Sequence, residues 1–523
     1  MTTSPIPGPA AGDRAPTTTG LAPGPGGGGE GLGARLRGLW SFQGRYRILH
    51  LTWFAFFLSF VVWFNFAPFS NTIKEQLGLT TAQVVTLGLC NVALTVPARV
   101  FIGMALDRFG PRRVYGAILI YAAVPCTAFA LASSFPLLVV SRLALGIVGA
   151  GFVVGIRMVS EWFPPREVGA AEGVYGGWGN FGSAAAAFSL PVVAGWIGGA
   201  DGWRWAIAAT GLVAAAYGVF YLRAVTDTPD GVTYARPRRQ GALEVTNRAA
   251  VFGLAALTVP LNGVLVVIAW RVWREGVIDG LGLVLALAGI AALLAFQLVK
   301  VFQVNHPALT TEYPPEDRYP FRSVAVLCLA YFCTFGSELA VVTMLPAFFA
   351  DTWGLGPALA GVAASGFAFM NLAARPAGGL LSDLLGSRRR TLSALLVGLA
   401  LGYLLLATLG PAWPVVAAIV VTMVCSFFVQ GGEGAVFAIV PLVKKRVSGQ
   451  IAGLAGAFGN VGAVAFLTSR LFVSDRTFFL LIAGASVLAL AASRWLVEPA
   501  NSFAPELATD EAAAPAELLS SPA

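Results

Sequence analysis

Charged side chains are scarce in this chain. Asp, Glu, Lys and Arg make up 11% of the 523 residues, whereas 57% are hydrophobic. A soluble domain carries about a quarter charged residues, so this composition excludes an ordinary soluble protein. Histidine is limited to His50 and His306, which excludes a multi-histidine metal site. The five cysteines all fall in apolar stretches, which is typical of small buried residues and not of a disulfide or metal framework.

The chain also lacks the sequence features of an enzyme. No phosphate-binding loop, nucleophile triad or metal-ligand cluster is evident, so we predict no catalytic activity, no cofactor and no metal. The formal net charge of +8 does not indicate nucleic-acid binding, because the basic residues are grouped in short loops such as Arg388-Arg389-Arg390. Basic loops between apolar runs are typical of the cytoplasmic side of a membrane protein.

Long apolar runs are what the sequence has in abundance. Windows of roughly 20 apolar residues recur along it, the length that crosses about 30 Å of hydrocarbon as a helix. The first begins near residue 47, too late for a cleaved signal peptide. We therefore predict an all-α polytopic membrane protein with about fourteen spans. They lie near 47–69, 84–106, 113–132, 136–160, 168–198, 204–223, 249–271, 277–302, 323–350, 357–382, 391–409, 412–442, 448–472 and 477–496.

These spans predict two six-helix halves with two extra transmembrane helices between them. The predicted boundaries are a disordered cytoplasmic tail at 1–40, an N-terminal half at 45–225, a central segment at 226–320, a C-terminal half at 321–498 and a disordered tail at 499–523. A cytoplasmic N-terminus places most basic loops inside. Arg271 and Arg274 then lie outside, against the charge rule, so the central pair fits this topology less well.

An internal duplication supports the two halves. Arg99 and Arg375 lie deep in apolar runs, and each is followed by the same pattern at a constant offset of 276. The shared positions are Gly103, Asp107, Gly110, Arg112 and Arg113, matched by Gly379, Asp383, Gly386, Arg388 and Arg389. A second repeat matches Gly169, Gly173, Gly176, Gly179, Asn180 and Gly182 with Gly449, Gly453, Gly456, Gly459, Asn460 and Gly462 at an offset of 280.

The paired arginines predict an anion site. A guanidinium at the bilayer centre costs about 3 kcal/mol even on the mildest insertion scales, so an intramembrane arginine indicates a functional site. Two at equivalent points of a duplicated chain suggest one anion held between the halves by Arg99 and Arg375. The alternative is that each arginine pairs with a carboxylate or with carbonyl groups and only holds helices together.

Several of these motifs resemble a known family. The run from Gly103 to Arg113 resembles the loop signature of the major facilitator superfamily, and residues 142–146 resemble a weaker signature of it. The glycine-rich runs 173–182 and 453–462 resemble the paired signatures of its nitrate/nitrite porter family. Residues 334–339 resemble the branch that contains the nitrate–proton symporters of plants and fungi. The resemblance covers about 47–223 and 323–496 and implies a major facilitator fold.

The resemblance implies a set of substrate-binding residues. A guanidinium fork can match two oxygens of planar nitrate at once. Beside Arg99 and Arg375, the candidates are Asn180, Asn460, Gly179, Gly459, Phe60, Phe152, Tyr331 and Phe335, the four rings being placed above and below the anion. For the glycines the alternative is close helix packing, for the asparagines a bridge between helices, and for the rings ordinary core packing.

Two intramembrane carboxyls, Glu338 and Glu433, are candidates for proton coupling, with a structural ion pair as the alternative. Glu161 and Glu172 are expected near the cytoplasmic side, where gating ion pairs are common. Asp107 and Asp383 are expected to tie helix ends to basic loops.

The predicted function is nitrate uptake, with nitrite as a second or exchanged substrate, by proton symport and alternating access. A nitrate/nitrite exchanger is the alternative, and an exporter of another small organic substrate or a transport-like sensor is more distant. The expected partners are the nitrate or nitrite anion, protons and the lipid bilayer, with no nucleic acid. We expect a monomer in the inner (plasma) membrane.

Overall fold

The computed structural model describes residue 33, residues 37–505 and residue 507, and every regular element in this part of the chain is a helix. This follows from the apolar runs, because a segment in hydrocarbon must satisfy its backbone hydrogen bonds internally. Thirteen helical segments in the described residues are long and apolar enough to cross a membrane. Two compact units make up the chain, residues 1–47 and residues 48–523, and the helical bundle belongs to the second.

The helices of the N-terminal half are α1 Gly44–Phe64, α2 Ser70–Gln76, α3 Thr81–Ala93, α4 Thr95–Phe109, α5 Pro111–Tyr121, α6 Ala123–Ala130, α7 Phe135–Gly146, α8 Gly151–Trp162, α9 Pro165–Ile197 and α10 Gly202–Ala224. The central segment has α11 Arg248–Arg274, α12 Gly280–Val304 and α13 His306–Thr310. The C-terminal half has α14 Phe321–Trp353, α15 Pro357–Phe369, α16 Asn371–Leu384, α17 Arg388–Leu406, α18 Val415–Phe437, α19 Ser448–Ser469 and α20 Asp475–Ser493. Single 3₁₀ turns lie at Ala67–Phe69, Ile147–Ala150, Pro315–Asp317, Val440–Leu442 and Lys445–Val447.

Each predicted span coincides with helix to within a few residues. Several of them are divided into consecutive helices, among them 84–106, which becomes α3 and α4, and 357–382, which becomes α15 and α16. The first break follows from Pro97, which has no N–H to donate to the carbonyl of Ala93, the last residue of α3. The α15–α16 pair is a fourteenth helical segment beside these thirteen, so the all-α fold and the span count are as predicted.

The two halves are packed against each other through reciprocal helix pairs. Helix α9 of the first half lies on α16 of the second, and α19 of the second lies on α4 of the first. A Cβ at Gly173 would lie 2.7 Å from the Arg375 carbonyl oxygen, and one at Gly453 would lie 2.5 Å from that of Arg99. Only glycine allows these backbones to approach so closely. The repeated glycines therefore pack the arginine-bearing helix of one half onto the opposite half.

The central helices lie at the edge of the bundle. Helix α11 packs against α3, α4 and α19 as well as against α12. Asn262 on α11 donates to Gln297 on α12 at 2.7 Å, whereas none of the most apolar stretch of α12 is buried. The central pair therefore lies at the periphery of the bundle, with the most apolar stretch of α12 uncovered.

The predicted disordered tails, 1–40 and 499–523, lie largely outside the described residues. Residues 499–505, at the start of the second tail, are described, and some of them contact the helical bundle. Arg388 donates to the carbonyl of Ser502 at 3.0 Å and lies over the ring of Phe503, 5.1 Å from its centroid. The buried guanidinium of Arg388 thus binds residues 502 and 503. The apolar pattern of the sequence does not predict this contact.

Candidate functional site

Arg99, on α4, is fully buried, and carbonyl groups are its described hydrogen-bond partners. Its Nη1 donates to Gly456 O on α19 at 2.5 Å and its Nη2 to Gly149 O at 3.4 Å. Its Nε makes no hydrogen bond within the described residues, and none of the ion pairs described there involves it. Its positive charge is therefore solvated by backbone dipoles and lacks a carboxylate partner within the described residues.

Arg375, on α16, is equally buried but differently paired. Its Nη1 lies 2.7 Å from a carboxylate oxygen of Glu433 on α18. Its Nη2 donates to the hydroxyl of Tyr331 on α14 at 3.0 Å. Both arginines thus match part of the structural alternative, Arg375 through a carboxylate and Arg99 through carbonyl groups. With Glu433 ionised, the two arginines and this carboxylate carry one net positive charge, which one monovalent anion would neutralise.

The structure brings the two arginines together on one aromatic ring. The guanidinium carbons of Arg99 and Arg375 lie 5.4 Å and 5.2 Å from the ring centroid of Phe152. The two guanidinium carbons are therefore separated by no more than the sum of these two distances. Cation–π contact with a ring offsets part of the desolvation of a buried guanidinium. Phe152, predicted as a ring beside the anion, contacts both cations.

Tyr331 and Phe335 continue this layer. The rings of Phe152 and Tyr331 are 6.1 Å apart and parallel to within 1°, and those of Tyr331 and Phe335 are 5.1 Å apart and parallel to within 4°. Phe335 also lies 5.2 Å below the guanidinium carbon of Arg99. Phe437 stands perpendicular to Phe152 and Tyr331, 4.8 Å from each. These ring faces form an apolar surface around the cations, which suits a planar anion.

Phe60, Gly179 and Gly459 hold the ring layer rather than the cations. Phe60 packs on Phe56, 4.5 Å away, and not on either arginine. A Cβ at Gly179 would overlap the Phe56 ring, and one at Gly459 would lie 2.7 Å from the Tyr331 ring. Gly176 and Gly456 are the glycines beside the guanidinia, where a Cβ would lie 2.6 Å from Arg375 Nε and 3.2 Å from Arg99 Cδ.

The two asparagines differ in their surroundings. Asn180 donates to Asn371 Oδ1 at 3.4 Å, and Asn371 donates to Glu338 Oε1 at 2.5 Å. Gln430 donates to the same Glu338 oxygen at 3.3 Å. Asn460 is fully buried, and neither of its side-chain polar atoms is hydrogen-bonded within the described residues. A buried amide without partners is costly, so Asn460 is available for a ligand.

A network of ion pairs and backbone hydrogen bonds joins the halves at the end that carries the basic loops, here called the basic end. Asp107 accepts from the N–H groups of Gly449 and Gln450, at 3.1 Å and 3.0 Å. Asp383 accepts from those of Gly169 and Ala170, at 3.1 Å and 2.7 Å. Each aspartate thus binds the glycine-rich helix of the opposite half. The predicted tie between helix ends and basic loops describes only part of this role. Asp383 does also pair with Arg388, at 2.8 Å.

Other charges at the basic end form ion pairs within and between the halves. Glu161 lies 2.8 Å from Arg157 and 3.3 Å from Lys445 of the opposite half. Asp317, between α13 and α14, lies 2.8 Å from Arg446 and 2.7 Å from Arg238. Burial opposes the ionisation of Asp317, but these two guanidinia outweigh it and hold its pKa below the ordinary value. Glu172 is not part of this network, so its expected gating ion pair is absent from the described contacts.

Sequence reasoning missed Phe56, Phe437, Asn371 and Gln430. The signal for Phe56 was present, because Phe56, Phe57 and Phe60 match Tyr331, Phe332 and Phe335 at a constant offset of 275. Phe437 carries no such signal, since one phenylalanine in an apolar run is ordinary. Asn371 and Gln430 become informative only through their contact with Glu338.

Comparison with known proteins gives concordant matches. The model of the Major Facilitator Superfamily matches residues 52–313 and 327–522. The chain is 53% identical over 463 residues to the nitrate/nitrite transporter NrtP of Picosynechococcus sp., covering 84% of this chain and 87% of that protein. It is 48% identical to NrtP of Nostoc punctiforme, covering 90% and 96%. It is 29% identical to the high affinity nitrate transporter 2.5 of Arabidopsis thaliana, covering 83% and 74%.

Solved structures agree with the fold. The proton:xylose symporter XylE matches with a TM-score of 0.58 at 15% identity, covering 88% of this chain and 98% of that chain. The human organic anion transporter MFSD10 matches with a TM-score of 0.58 at 13% identity, covering 86% and 100%. At such low identity these likenesses support the major facilitator fold alone.

Proposed function

Since the chain belongs to the nitrate/nitrite porter family of the major facilitator superfamily, and is therefore a membrane transporter and not an enzyme, we propose that it carries nitrate across the membrane between its two halves. The observation that carries the proposal is the contact of Arg99 and Arg375, one from each half, with the same Phe152 ring. The names of its relatives point to nitrate and nitrite as substrates.

The proposed anion binds between the two guanidinia. Arg99 has no carboxylate partner in the described residues, and Asn460 has two unused polar atoms. An anion would accept from the Arg99 Nε and from the Asn460 amide, while the ring layer of Phe152, Tyr331 and Phe335 excludes water. Phe60, Gly179 and Gly459 set the positions of those rings, and Asn180 connects to the site through Asn371.

Transport proceeds by alternating access in this proposal. Without an anion, the like charges of Arg99 and Arg375 oppose closure of the halves. With an anion between them, closure brings each cation toward a negative charge, so the ligand favours the closed state by its differential binding. The glycine contacts between α4 and α19 and between α9 and α16 allow the helices to slide without displacing large side chains.

Proton symport is the proposed energy source. An anion entering against an inside-negative potential costs about 2.3 kcal/mol per 100 mV, so uptake requires at least one accompanying proton for neutrality and more than one for the potential to assist. Glu338 and Glu433 are the predicted coupling groups, and both lie on helices that contact the arginine site. We propose a monomer in the plasma membrane with its basic end in the cytoplasm, as the positive-inside rule indicates.

The test is nitrate flux in proteoliposomes with the pH gradient and the membrane potential clamped independently. Symport predicts that an inward proton gradient drives nitrate accumulation with no anion inside. Uptake that ignores the pH gradient and requires trapped nitrite would replace symport by exchange. Uptake of neither anion under any gradient would contradict nitrate transport itself. Glu338→Gln and Glu433→Gln, assayed in the same vesicles, determine whether either carboxyl is required for the coupled flux.

A further inference from the structure

Glu172 is an isolated carboxyl at the interface between the halves. It lies on α9 and is 1% exposed, and neither carboxyl oxygen makes a hydrogen bond within the described residues. None of the ion pairs described there involves it. The other two intramembrane carboxyls near the site are held differently: Glu433 pairs with Arg375, and Glu338 accepts from two amides. Glu172 is therefore the carboxyl whose charged form has the least support.

The position of Glu172 places it beside the anion site. On α9, residues 169, 172, 173 and 176 share one face, since neighbours on a helix face are three or four apart. On that face Gly173 approaches the Arg375 backbone and Gly176 approaches the Arg375 side chain. Arg375 is the cation that acts electrostatically on Glu172. Glu172 therefore lies on the helix face that contacts Arg375.

The surrounding groups leave Glu172 without another titratable partner among the described residues. Tyr175, one turn along α9, donates to the Phe152 carbonyl at 2.8 Å. On α16, Asp383 is bonded to the backbone of α9 and paired with Arg388. On α18 Glu433 is paired with Arg375, and on α8 Arg157 and Glu161 are paired with each other. The neighbouring charges are thus engaged elsewhere.

The duplication shows that a carboxyl is not needed here for packing. At the offset of 280 that relates the glycine runs, the residue equivalent to Glu172 is Ala452, which is fully buried. The same helix packing is therefore achieved with a methyl group in the other half. A buried carboxyl in one half alone is an expensive feature that packing does not explain.

We propose that Glu172 is a proton-binding site linked to the anion on Arg99 and Arg375. In the empty site the carboxylate of Glu172 compensates the excess positive charge. A bound anion neutralises that positive charge in its place. The carboxylate of Glu172 then has no counter-charge in a buried interface and is disfavoured, so one proton from water adds to a carboxyl oxygen. Anion and proton thus occupy the protein together. This inference rests on the proposed function and adds a third carboxyl to the two predicted ones.

The experiment measures nitrate affinity against pH for the purified full chain in nanodiscs. If Glu172 must gain a proton for the anion to bind, the nitrate Kd of the unmodified protein rises with pH, by up to about tenfold per pH unit above the relevant titration. We expect Glu172→Gln to show a shallower slope, without the contribution of one proton, because an amide is always neutral. Glu172→Ala copies the residue at 452 and serves as the second variant if the amide impairs folding.

Glu167→Gln is the matched control, since Glu167 lies on the same helix but pairs with Arg166 at 3.2 Å. It should keep the pH slope of the unmodified protein. A slope that is unchanged in both Glu172 variants, or a flat profile in the unmodified protein, would overturn the inference while leaving nitrate binding intact. If nitrate binding depends on pH but a proton gradient drives no nitrate flux, symport is excluded and the Glu172 site is kept. If nitrate does not bind at all, both proposals fail.

Discussion

Replacing Arg99 by lysine should weaken nitrate binding strongly. Lysine keeps the positive charge but loses the planar fork that contacts two oxygens at once. Arg99 is the better of the two arginines to change, because Arg375 also pairs with Glu433 and its replacement would disturb that carboxylate. The Arg99 side chain contacts carbonyls and aromatic rings, so Arg99→Lys leaves no described carboxylate unpaired.

The magnitude follows from the hydrogen bonds lost. One hydrogen bond to a charged group contributes about 1.5–3 kcal/mol, and each 1.4 kcal/mol is about a tenfold change in Kd. Arg99→Lys should therefore raise the nitrate Kd by roughly 10- to 150-fold. At nitrate equal to 100 times the original Kd, ligand binding stabilises the folded state by about 2.7 kcal/mol. A hundredfold weaker site would retain only about 0.4 kcal/mol of that at the same concentration.

The assay is thermal unfolding of purified protein with and without nitrate, followed by a nitrate titration. Arg142→Lys is the matched control. Arg142 is also a buried intramembrane arginine, and it donates to Asn65 Oδ1 and the Trp63 carbonyl, each at 3.2 Å, and not toward the Arg375 site. We expect Arg142→Lys to lower the Tm of the unliganded protein and to keep the nitrate-dependent shift. If Arg99→Lys keeps that shift, or if both variants lose it equally, direct binding by Arg99 is refuted.

Two further predictions test the ring layer and the basic end. Gly459→Ala places a Cβ within 2.7 Å of the Tyr331 ring, so it should displace the ring and weaken nitrate binding by an amount typical of overpacking, about 1–3 kcal/mol; Gly484→Ala, which meets open space, should leave the nitrate titration unchanged. Asp317→Asn should lower the Tm at neutral pH, because the ion pair of Asp317 with Arg446 depresses its pKa and stabilises the fold above the unfolded pKa. That difference from the unmodified protein should shrink as the pH falls through the depressed pKa, and a difference independent of pH would contradict the assignment.

The sequence could predict the helices because hydrocarbon imposes a simple rule. A run of apolar residues long enough to cross the membrane must be helical, since no water is present to bond its backbone. The breaks after Ala93 and Phe369 were beyond that rule, because apolarity continues across them. The contacts of residues 502–504 were also beyond it, since they depend on where Arg388 needs acceptors.

The candidate site was predictable as far as the duplication reaches. Arg99 and Arg375 are related by an offset of 276, and the rings Phe60 and Phe335 by an offset of 275, because the two halves share a pattern. The contacts that differ between the halves were not predictable. Glu433 pairs with Arg375 and not with Arg99, and Glu172 has Ala452 as its counterpart, so the two halves of the site are charged differently. A constant offset identifies equivalent positions in the two halves and does not give the contacts that each side chain makes.

The sequence by itself determined that this chain is a helical membrane protein of two repeated halves with a pair of buried cations, because the cost of charge and of bare backbone in hydrocarbon leaves few alternatives. Only the tertiary structure decided which cation lacks a carboxylate within the described residues. It also placed Phe152 against both guanidinia and left Glu172 without a described hydrogen bond. Those facts depend on contacts of a few ångströms between residues hundreds of positions apart, which no local pattern encodes.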